Sequence, residues 1–383
     1  MRSITKFTQN RLNSIDALRG LAALTIVLYH ARVMLWVGLC ETWKQYGLSA
    51  NINSWLGYAT APLYFGGSAV ELFFVLSGYC IHRRGAQNLA ANPNSQLKLK
   101  QFAFRRLWRL YPTYFVVLCI TALVDAYVIA YHPTQLRVGQ DNSLFAFFMS
   151  LLSLQGLASP TFGSNGVFWT LALELHLYVA YPLLYYISRV HSPVKALGVT
   201  WGASLIYVLV DMLIGLSNKL PYRGAGQPIF LPYWFTWAFG FYIAEVEAGR
   251  ASLPKKFWRM AVIGAILAVP TWLLRLWDLA RFSFTLAFGG LLYWSITPKG
   301  ESFWTNFAGQ FLVKVGVFSY SLYAIHVPCL RMFKVILAPN AQFSTTLLPA
   351  IIGTVASLLS GWFLFLLVEQ WSLKPLPKWK ILK

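Results

Sequence analysis

Apolar residues occupy most of the chain in long runs, and polar residues gather in the short segments between them. Most runs are about 20 residues long, which is what an α-helix needs to cross a hydrocarbon core about 30 Å thick. Eleven such stretches cover residues 15–37, 62–81, 110–132, 144–158, 166–188, 194–216, 229–247, 260–275, 281–297, 311–336 and 346–368. The pattern predicts an all-α integral membrane protein.

The stretch at 144–158 is short for a crossing, and the distribution of Lys and Arg tests it. If it is re-entrant, the cytoplasmic segments hold 21 basic residues against 8 outside, whereas a full crossing gives 16 against 13. Membrane proteins keep Lys and Arg in the cytoplasm, so about ten transmembrane helices with both termini cytoplasmic are favoured. We expect a cytoplasmic tail at 1–14, a transmembrane domain at 15–370 and a basic cytoplasmic tail at 371–383.

Composition narrows the class further. Only 11% of the residues are charged and 57% are hydrophobic, whereas a soluble domain has about 25% charged residues. A soluble or disordered protein is therefore excluded. The net charge of +20 is explained by the cytoplasmic loops, so no nucleic-acid partner is expected. The four cysteines show no CxxC spacing, and no metal is expected.

The first apolar stretch contains two ionisable side chains that share a helix face. Arg19 and His30 are eleven residues apart, which places them on one stripe about 16 Å apart along the axis. Ionisable groups are costly inside a bilayer, so both are functional candidates, and a neutral imidazole can act as a general base. The alternative is structural, with Arg19 paired to Asp16 and His30 bonded to a neighbouring helix.

The second stretch carries a carboxyl group and a hydroxyl group within the membrane. Glu71 needs a partner there, which makes it a candidate for substrate binding. Ser77 precedes Gly78, and such a pair is as typical of close helix packing as of a binding site.

The stretch at 166–188 presents a polar stripe. Glu174, Tyr178, Tyr181 and Tyr185 follow the spacing of one helix face, a pattern suited to holding a sugar. An aromatic belt at the membrane surface explains Tyr185 but not Glu174.

The stretch at 311–336 repeats the combination of histidine and hydroxyl groups. Ser319, Tyr323 and His326 share a face, and Pro328 is expected to kink or end the helix just beyond them. In the ten-helix topology His326 and His30 both lie in the outer half of the membrane.

A basic segment at 98–114 interleaves cations with aromatic rings. Guanidinium groups suit phosphate oxygens, so Arg105, Arg106 and Arg109 would fit a phosphorylated donor such as coenzyme A. The alternative is an anchor that contacts anionic membrane lipid.

Five segments, taken in order, make the chain resemble the membrane-bound acyltransferase-3 family, which O-acylates bacterial cell-surface carbohydrates. They are Arg19 with ten residues before His30, FFVLSGYCI at 73–81, FRRLWRLYPTY at 104–114, FWTLALELHLYVAYP at 168–182 and FSYSLYAIHVP at 318–328. The resemblance implies ten membrane helices in the bacterial inner membrane, a cytoplasmic acyl-CoA donor (usually acetyl-CoA) and a carbohydrate acceptor.

The resemblance also supports Arg19 and His30 as essential, and Arg106 and Arg109 as donor-side or structural residues. The chain departs from the family at two positions. Many members have Asp in place of Glu71, and many have a second Glu at the position of Leu175.

We therefore predict an O-acyltransferase with a transmembrane acyltransferase-3-like domain at 15–370. The alternative is a transporter or flippase for a glycan or a lipid-linked sugar. The expected catalytic residues are His30, Arg19, Glu174 and His326. The expected donor-binding residues are Arg105, Arg106 and Arg109. The expected substrate-binding residues are Glu71, Ser77, Tyr178, Tyr181 and Tyr323.

Overall fold

A computed structural model describes residues 2–48, 51–136, 139–217, 229–337 and 343–374. Within these ranges the chain is helical, and the only β-structure is a few isolated bridges. The α-helices are α1 (Arg2–Leu35), α2 (Leu39–Tyr46), α3 (Ile52–Ala59), α4 (Ala69–Ala91), α5 (Leu99–Tyr131), α6 (Leu144–Leu151), α7 (Phe168–Val190), α8 (Pro193–Ser217), α9 (Leu231–Glu247), α10 (Phe257–Leu273), α11 (Trp277–Ser295), α12 (Pro298–Phe303), α13 (Phe307–Val317), α14 (Ser319–Leu337), α15 (Leu348–Leu364) and α16 (Gln370–Leu373). Short 3-10 helices (Ala61–Ser68 and Pro133–Gln135) and a π-helical turn (Phe365–Glu369) complete the fold.

Each of the ten stretches expected to cross coincides with a helix, and the all-α prediction is confirmed. Five helical segments of the described residues are long and apolar enough to cross a membrane. A sixth is added if α13 and α14, bent by 76°, count as one span. The five are Asn13–Leu35, Ile52–Ala91, Leu99–Tyr131, Pro193–Ile214 and Leu348–Leu373. The count of ten and the side of the termini stay predictions.

The helices that fail this apolar test include the most buried one. Every residue of α9 from Thr236 to Glu245 is buried, while α8 beside it is largely exposed. A helix enclosed by other helices contacts protein rather than lipid, so it can carry polar groups. With 17 residues, α9 is also shorter than the five segments that pass, the shortest of which has 22.

The segment at 144–158 contains one short helix, and its re-entrant placement stays a prediction. Its helix α6 has eight residues and is about 12 Å long, too short for a hydrocarbon core of about 30 Å. Gln155, in the turn that follows, donates from Nε2 to the Tyr114 hydroxyl at 3.1 Å and to the Phe168 carbonyl at 3.0 Å. The segment is thereby held against α5 and α7.

The predicted tails are only partly visible. Helix α1 begins at Arg2, so most of the expected tail at 1–14 continues the first helix. Of the expected tail at 371–383, residues 375–383 lie outside the described residues.

Two helix pairs cross at glycines. A Cβ atom at Gly78 would collide with the Trp237 carbonyl, and one at Gly240 would collide with the Val75 carbonyl. Small residues of this kind let helix backbones approach closely. Gly78 therefore serves packing between α4 and α9.

The same arrangement joins α1 to α13. A Cβ atom at Gly20 would meet the Leu312 carbonyl, and one at Gly316 would meet the Asp16 carbonyl. This crossing places Asp16 and Arg19 beside the α13–α14 junction.

The stretch at 311–336 differs from the expectation for it. Its bend lies at Phe318, between α13 and α14, and α14 continues through Pro328 to Leu337. Proline removes the N–H that would bond the Ala324 carbonyl one turn earlier. Asn165 Nδ2 donates to that carbonyl at 3.1 Å instead, and the helix does not end there.

Candidate active site

A cavity of about 460 Å³ lies between α1, α4, α5, α7 and the α13–α14 junction. Its volume falls within the range of about 300–1,000 Å³ that is usual for small-molecule sites. It brings together residues predicted from five separate segments. The predicted residues in its lining are Arg19, Ser77, Arg106, Arg109, Glu174, Tyr178 and Tyr323.

Arg19 lies at one end of this cavity and retains access to it. Its Nη1 is 3.5 Å from Asp16 Oδ1, and its side chain is 25% exposed. The ion pair with Asp16 is therefore present, as the structural alternative expected. Arg19 lines the cavity as well, so the ion pair does not remove it from the candidate site, and its catalytic role stays a prediction.

Arg106 and Arg109 add two guanidinium groups at the same end. Arg106 lies with its guanidinium carbon 5.5 Å from the centre of the Phe102 ring, and its buried Nε has no hydrogen-bond partner in the described chain. Among the described residues neither arginine forms an ion pair. Their charge and donors are thus available to an anionic ligand.

Two carboxyl groups that sequence reasoning did not single out share this end. Glu369 ends the π-helical turn, is 1% exposed and accepts hydrogen bonds from the Ser321 N–H at 3.0 Å and hydroxyl at 2.6 Å. Asp16 is the other, and both line the cavity. π-Helical turns are frequent at functional sites. In the sequence, Glu369 directly follows the apolar stretch at 346–368, a position that is typical of the edge of a membrane.

Glu174 lies at the middle of the cavity and is fixed by hydroxyl groups. Ser77 donates to Glu174 Oε1 at 3.0 Å, and the Tyr178 hydroxyl donates to the same oxygen. Ser77 in turn accepts from Trp237 Nε1 at 3.2 Å. The carboxylate is therefore held in one orientation with neighbouring hydroxyls, as the predicted stripe required.

Tyr323 closes the end of the cavity away from the arginines. Its hydroxyl is 2.6 Å from Thr170 Oγ1, and its ring meets Phe73 edge to face at 5.4 Å. His326 follows one helical turn later on α14 and is fully buried.

His30 and His326 form a pair just beyond Tyr323. His326 Nδ1 lies 2.7 Å from the Tyr323 carbonyl oxygen, and its Nε2 lies 3.2 Å from His30 Nδ1. A carbonyl oxygen only accepts, so His326 carries its proton on Nδ1 and presents a lone pair on Nε2. His30 Nδ1 faces this lone pair and the Ile26 carbonyl at 3.0 Å, so it carries the proton. The neutral His30 ring then presents the lone pair of Nε2.

Besides His30 and His326, three predicted site residues lie outside the lining of the cavity. Arg105 is exposed and does not line the cavity. The Tyr181 hydroxyl bonds His82 Nδ1 at 3.1 Å within a buried cluster. Glu71 is buried at the start of α4. Their predicted roles in binding stay predictions.

The cluster that includes Tyr181 is a polar network near the end of α9. His82 Nε2 lies 2.8 Å from Glu245 Oε1, and Arg250 binds both oxygens of this carboxylate at 3.0 and 2.9 Å. Every charge has a partner, which is typical of a structural network. No group of three or more His, Cys, Asp or Glu side chains in the described ranges is placed to hold a metal.

Comparison with known proteins gives one family. The family model described as an acyltransferase domain, that of the acyltransferase-3 family, matches residues 12–366. A peptidoglycan O-acetyltransferase of Listeria monocytogenes is 24% identical over 367 residues, which are 87% of this chain and 51% of the relative.

Two further relatives match shorter parts. A candidate acetyltransferase of Acidianus two-tailed virus is 28% identical over 237 residues, 62% of this chain and 58% of the relative. A candidate O-acetyltransferase of Staphylococcus aureus is 26% identical over 225 residues, 57% of this chain and 32% of the relative. The chain thus spans about a third to three fifths of the length of these relatives. No solved structure matches it significantly.

Proposed function

Because the chain belongs to the acyltransferase-3 family and is an acyltransferase, we propose that it moves an acetyl group from cytoplasmic acetyl-CoA to a carbohydrate. The acceptor is a hydroxyl group of a cell-surface or exported glycan. The observation that carries the proposal is one cavity with three guanidinium groups at one end and a histidine pair just beyond the other. The O-acetyltransferase names of the relatives support oxygen as the acceptor atom.

The proposed topology has ten transmembrane helices in a bacterial inner membrane, with both termini cytoplasmic. It is supported by the bias of 21 basic residues against 8. The arginines at the mouth of the cavity then face the cytoplasm, where acetyl-CoA is made. The histidine pair lies in the outer half of the membrane, close to an exported acceptor.

On the donor side, Arg19, Arg106 and Arg109 bind the phosphate groups of coenzyme A. Guanidinium groups suit this task because their paired N–H donors match phosphate oxygens. Arg106 carries a buried Nε donor that no group in the described ranges satisfies, and a phosphate oxygen would satisfy it. Arg105 is exposed and contacts anionic lipid headgroups instead.

At the acceptor side, His30 acts as the general base. Its Nε2 takes the proton of the acceptor hydroxyl while the oxygen attacks the thioester carbonyl. The bond from carbonyl carbon to sulfur then breaks, and the proton passes to the sulfur of the leaving coenzyme. His326 Nε2 accepts a hydrogen bond from His30 Nδ1–H. This bond keeps the lone pair of His30 Nε2 directed at the substrate.

Between these ends, Glu174, Ser77, Tyr178 and Tyr323 bind the thioester arm and the acceptor. Their hydroxyl and carboxylate groups are fixed by hydrogen bonds to one another or to Thr170. Fixed donors reduce the reorganisation needed as negative charge develops on the thioester oxygen.

The test is transfer of labelled acetyl from acetyl-CoA to membrane glycans by membranes that contain the full chain. His30→Ala should lower the rate by about 10²–10⁴-fold, the contribution usual for a general base. The matched control is His191→Ala, an exposed histidine after α7, which should transfer at the wild-type rate. Wild-type transfer by His30→Ala would refute the base assignment. Movement of sugar across liposomes without use of acetyl-CoA would favour a transporter.

A further inference from the structure

A cluster of buried charged atoms without partners lies beside the active-site cavity, between α4 and α11. Glu71 is 5% exposed and Arg281 is 3% exposed. Glu71 Oε2, Asp278 Oδ2 and the Nε and Nη2 atoms of Arg281 have no hydrogen-bond partner in the described part of the chain. These three side chains form what we call the α4–α11 cluster.

Arg281 is held in place while two of its donors stay open. Its Nη1 pairs with Asp278 Oδ1, and its guanidinium carbon lies 4.1 Å from the centre of the Tyr233 ring. Tyr233 is itself packed by Phe74 at 5.2 Å and Trp169 at 5.5 Å. Stacking on a fixed ring orients the guanidinium plane, so that the open donors keep a defined direction.

Leaving such groups unsatisfied is costly. A buried donor or acceptor without a partner loses its hydration and gains nothing in return, and the loss is larger for a charged group. Because native proteins satisfy nearly all of these groups, several together at one place indicate that a ligand or ordered water completes them.

The cluster adjoins the reacting end of the cavity. Glu71, Tyr233 and Tyr323 lie close enough to interact electrostatically. Phe74, which packs against Tyr233, also lines the cavity. Tyr323 is one helical turn from His326, so a ligand that reaches His30 also comes close to the α4–α11 cluster.

We propose that the α4–α11 cluster binds the acceptor sugar through the hydroxyl groups next to the reacting one, and selects neutral over anionic sugars. This inference rests on the proposed function. A sugar hydroxyl can donate to Glu71 or Asp278 and accept from Arg281 in the same bond network. The cluster has two carboxyl groups, on Glu71 and Asp278, and one guanidinium group, on Arg281. It therefore has no surplus positive charge to bind a sugar carboxylate or phosphate, and its carboxyl groups would repel such a ligand.

The first measurement uses the unaltered protein. Membranes with the full chain transfer labelled acetyl to their own glycans in the presence of either methyl glucoside or methyl glucuronide. These probes differ in one group, a hydroxymethyl against a carboxylate. The glucoside should halve the transfer at a concentration at least about tenfold lower than the glucuronide, because like charges placed together are strongly unfavourable.

The second measurement uses Arg281→Lys and Glu71→Gln. Each should raise the half-inhibiting glucoside concentration by about tenfold through loss of a charged hydrogen bond, while the KM for acetyl-CoA stays unchanged. Glu71→Gln should also narrow the gap between glucoside and glucuronide, because it removes a negative charge. Matched controls are Arg275→Lys and Glu41→Gln, at exposed positions, which should change neither value.

The outcomes separate the two proposals. Absence of wild-type transfer contradicts the proposed function itself. Wild-type transfer with equal competition, stronger competition by the glucuronide or no competition contradicts only the α4–α11 cluster as a sugar site. If the KM for acetyl-CoA of these variants rises together with the half-inhibiting glucoside concentration, the two residues have a structural role and the inference is overturned. Where a variant does not fold, the comparison of the two glycosides on the wild type still decides.

Discussion

At the residue scale, His30 and His326 have the same side chain but differ in exposure. His30 is partly exposed, whereas His326 is fully buried behind it with Nδ1 committed to the Tyr323 carbonyl. In the proposed mechanism only His30 contacts the acceptor. His326 is then a positioning residue, and its Nε2 accepts a hydrogen bond from the Nδ1–H of His30.

Substitution of His326 tests this division of roles. When His30 takes up a proton it becomes a cation, and its hydrogen bond to His326 becomes stronger. Because His326→Ala removes this stabilisation from the transition state, it should lower kcat by about 10–100-fold. The KM for acetyl-CoA should not change, because the donor site is at the other end of the cavity. Steady-state kinetics with labelled acetyl-CoA measures both values.

His326→Gln supplies the control, because its side-chain oxygen can accept from His30 Nδ1. It should recover most of the lost rate. An equal loss in the alanine and glutamine variants would show that His326 fills space rather than orients His30.

At the element scale, helix α14 depends on a residue far away in sequence. Pro328 leaves the Ala324 carbonyl without its usual donor, and Asn165 supplies one from the loop before α7. Asn165 is fully buried, and its Nδ2 also lies 3.4 Å from Thr121 Oγ1. The helix that carries His326 is thus continuous because a side chain replaces a missing backbone N–H.

Asn165→Ala should destabilise the protein by about 1–3 kcal/mol, the cost of an unsatisfied buried carbonyl. In a Pro328→Ala background the backbone N–H is restored, so the same substitution should cost clearly less. Thermal unfolding in detergent of the two single variants and the double variant measures this coupling. Asn94→Ala, at an exposed position, should have little effect. If the losses of stability in the two single variants simply add up in the double variant, Asn165 does not replace the backbone N–H that Pro328 lacks.

The glycine crossings also belong to this scale. Gly316→Ala should destabilise the protein by about 1–3 kcal/mol, because the new methyl group collides with the Asp16 carbonyl and must push α13 from α1. The matched control is Gly198→Ala on α8, where a Cβ meets no atom within 4 Å. The control should be neutral or slightly stabilising in the same unfolding measurement. Equal melting of both variants would disprove the close crossing.

Sequence periodicity predicted these elements well, because apolar length and helix formation are local properties. It did not predict the break at Phe318 or the continuation of α14 past Pro328. At Pro328 the Ala324 carbonyl is bonded by Asn165, which comes from a distant segment. Such contacts have no local signature.

The candidate site, like the fold, was predicted only in part from the sequence. Helical spacing placed Glu174 and Tyr178 on one face, and both line the cavity. Spacing could not reveal Arg281 or Glu369, because each was assigned to the edge of an apolar stretch. Whether such a residue points into the bundle depends on how neighbouring helices pack.

At the scale of the whole molecule, burial differs sharply between neighbouring helices, because α9 is enclosed by other helices whereas α8 is largely exposed. An enclosed helix contacts protein rather than lipid, so it can carry a group such as the buried Glu245. The proposed orientation puts the 92–98 turn in the cytoplasm and α2 outside.

Single cysteines introduced into a cysteine-free chain test that orientation. Asn94→Cys should react with a membrane-impermeant maleimide only in inside-out vesicles, because the reagent cannot cross the bilayer. Glu41→Cys should react only in right-side-out vesicles. Both positions are exposed, so each serves as the accessibility control of the other. Labelling of both from one side would refute the ten-helix topology.

The contact between Tyr323 and Thr170 has a consequence for the cell as a whole. Under the proposed function, the cavity admits a coenzyme from the cytoplasm and ends near an exported acceptor, an arrangement close to that of a pore. The Tyr323 and Thr170 hydroxyl groups are 2.6 Å apart at that end. We propose that this contact limits the passage of water and ions, so that glycans outside would be modified while the membrane keeps its electrochemical gradient.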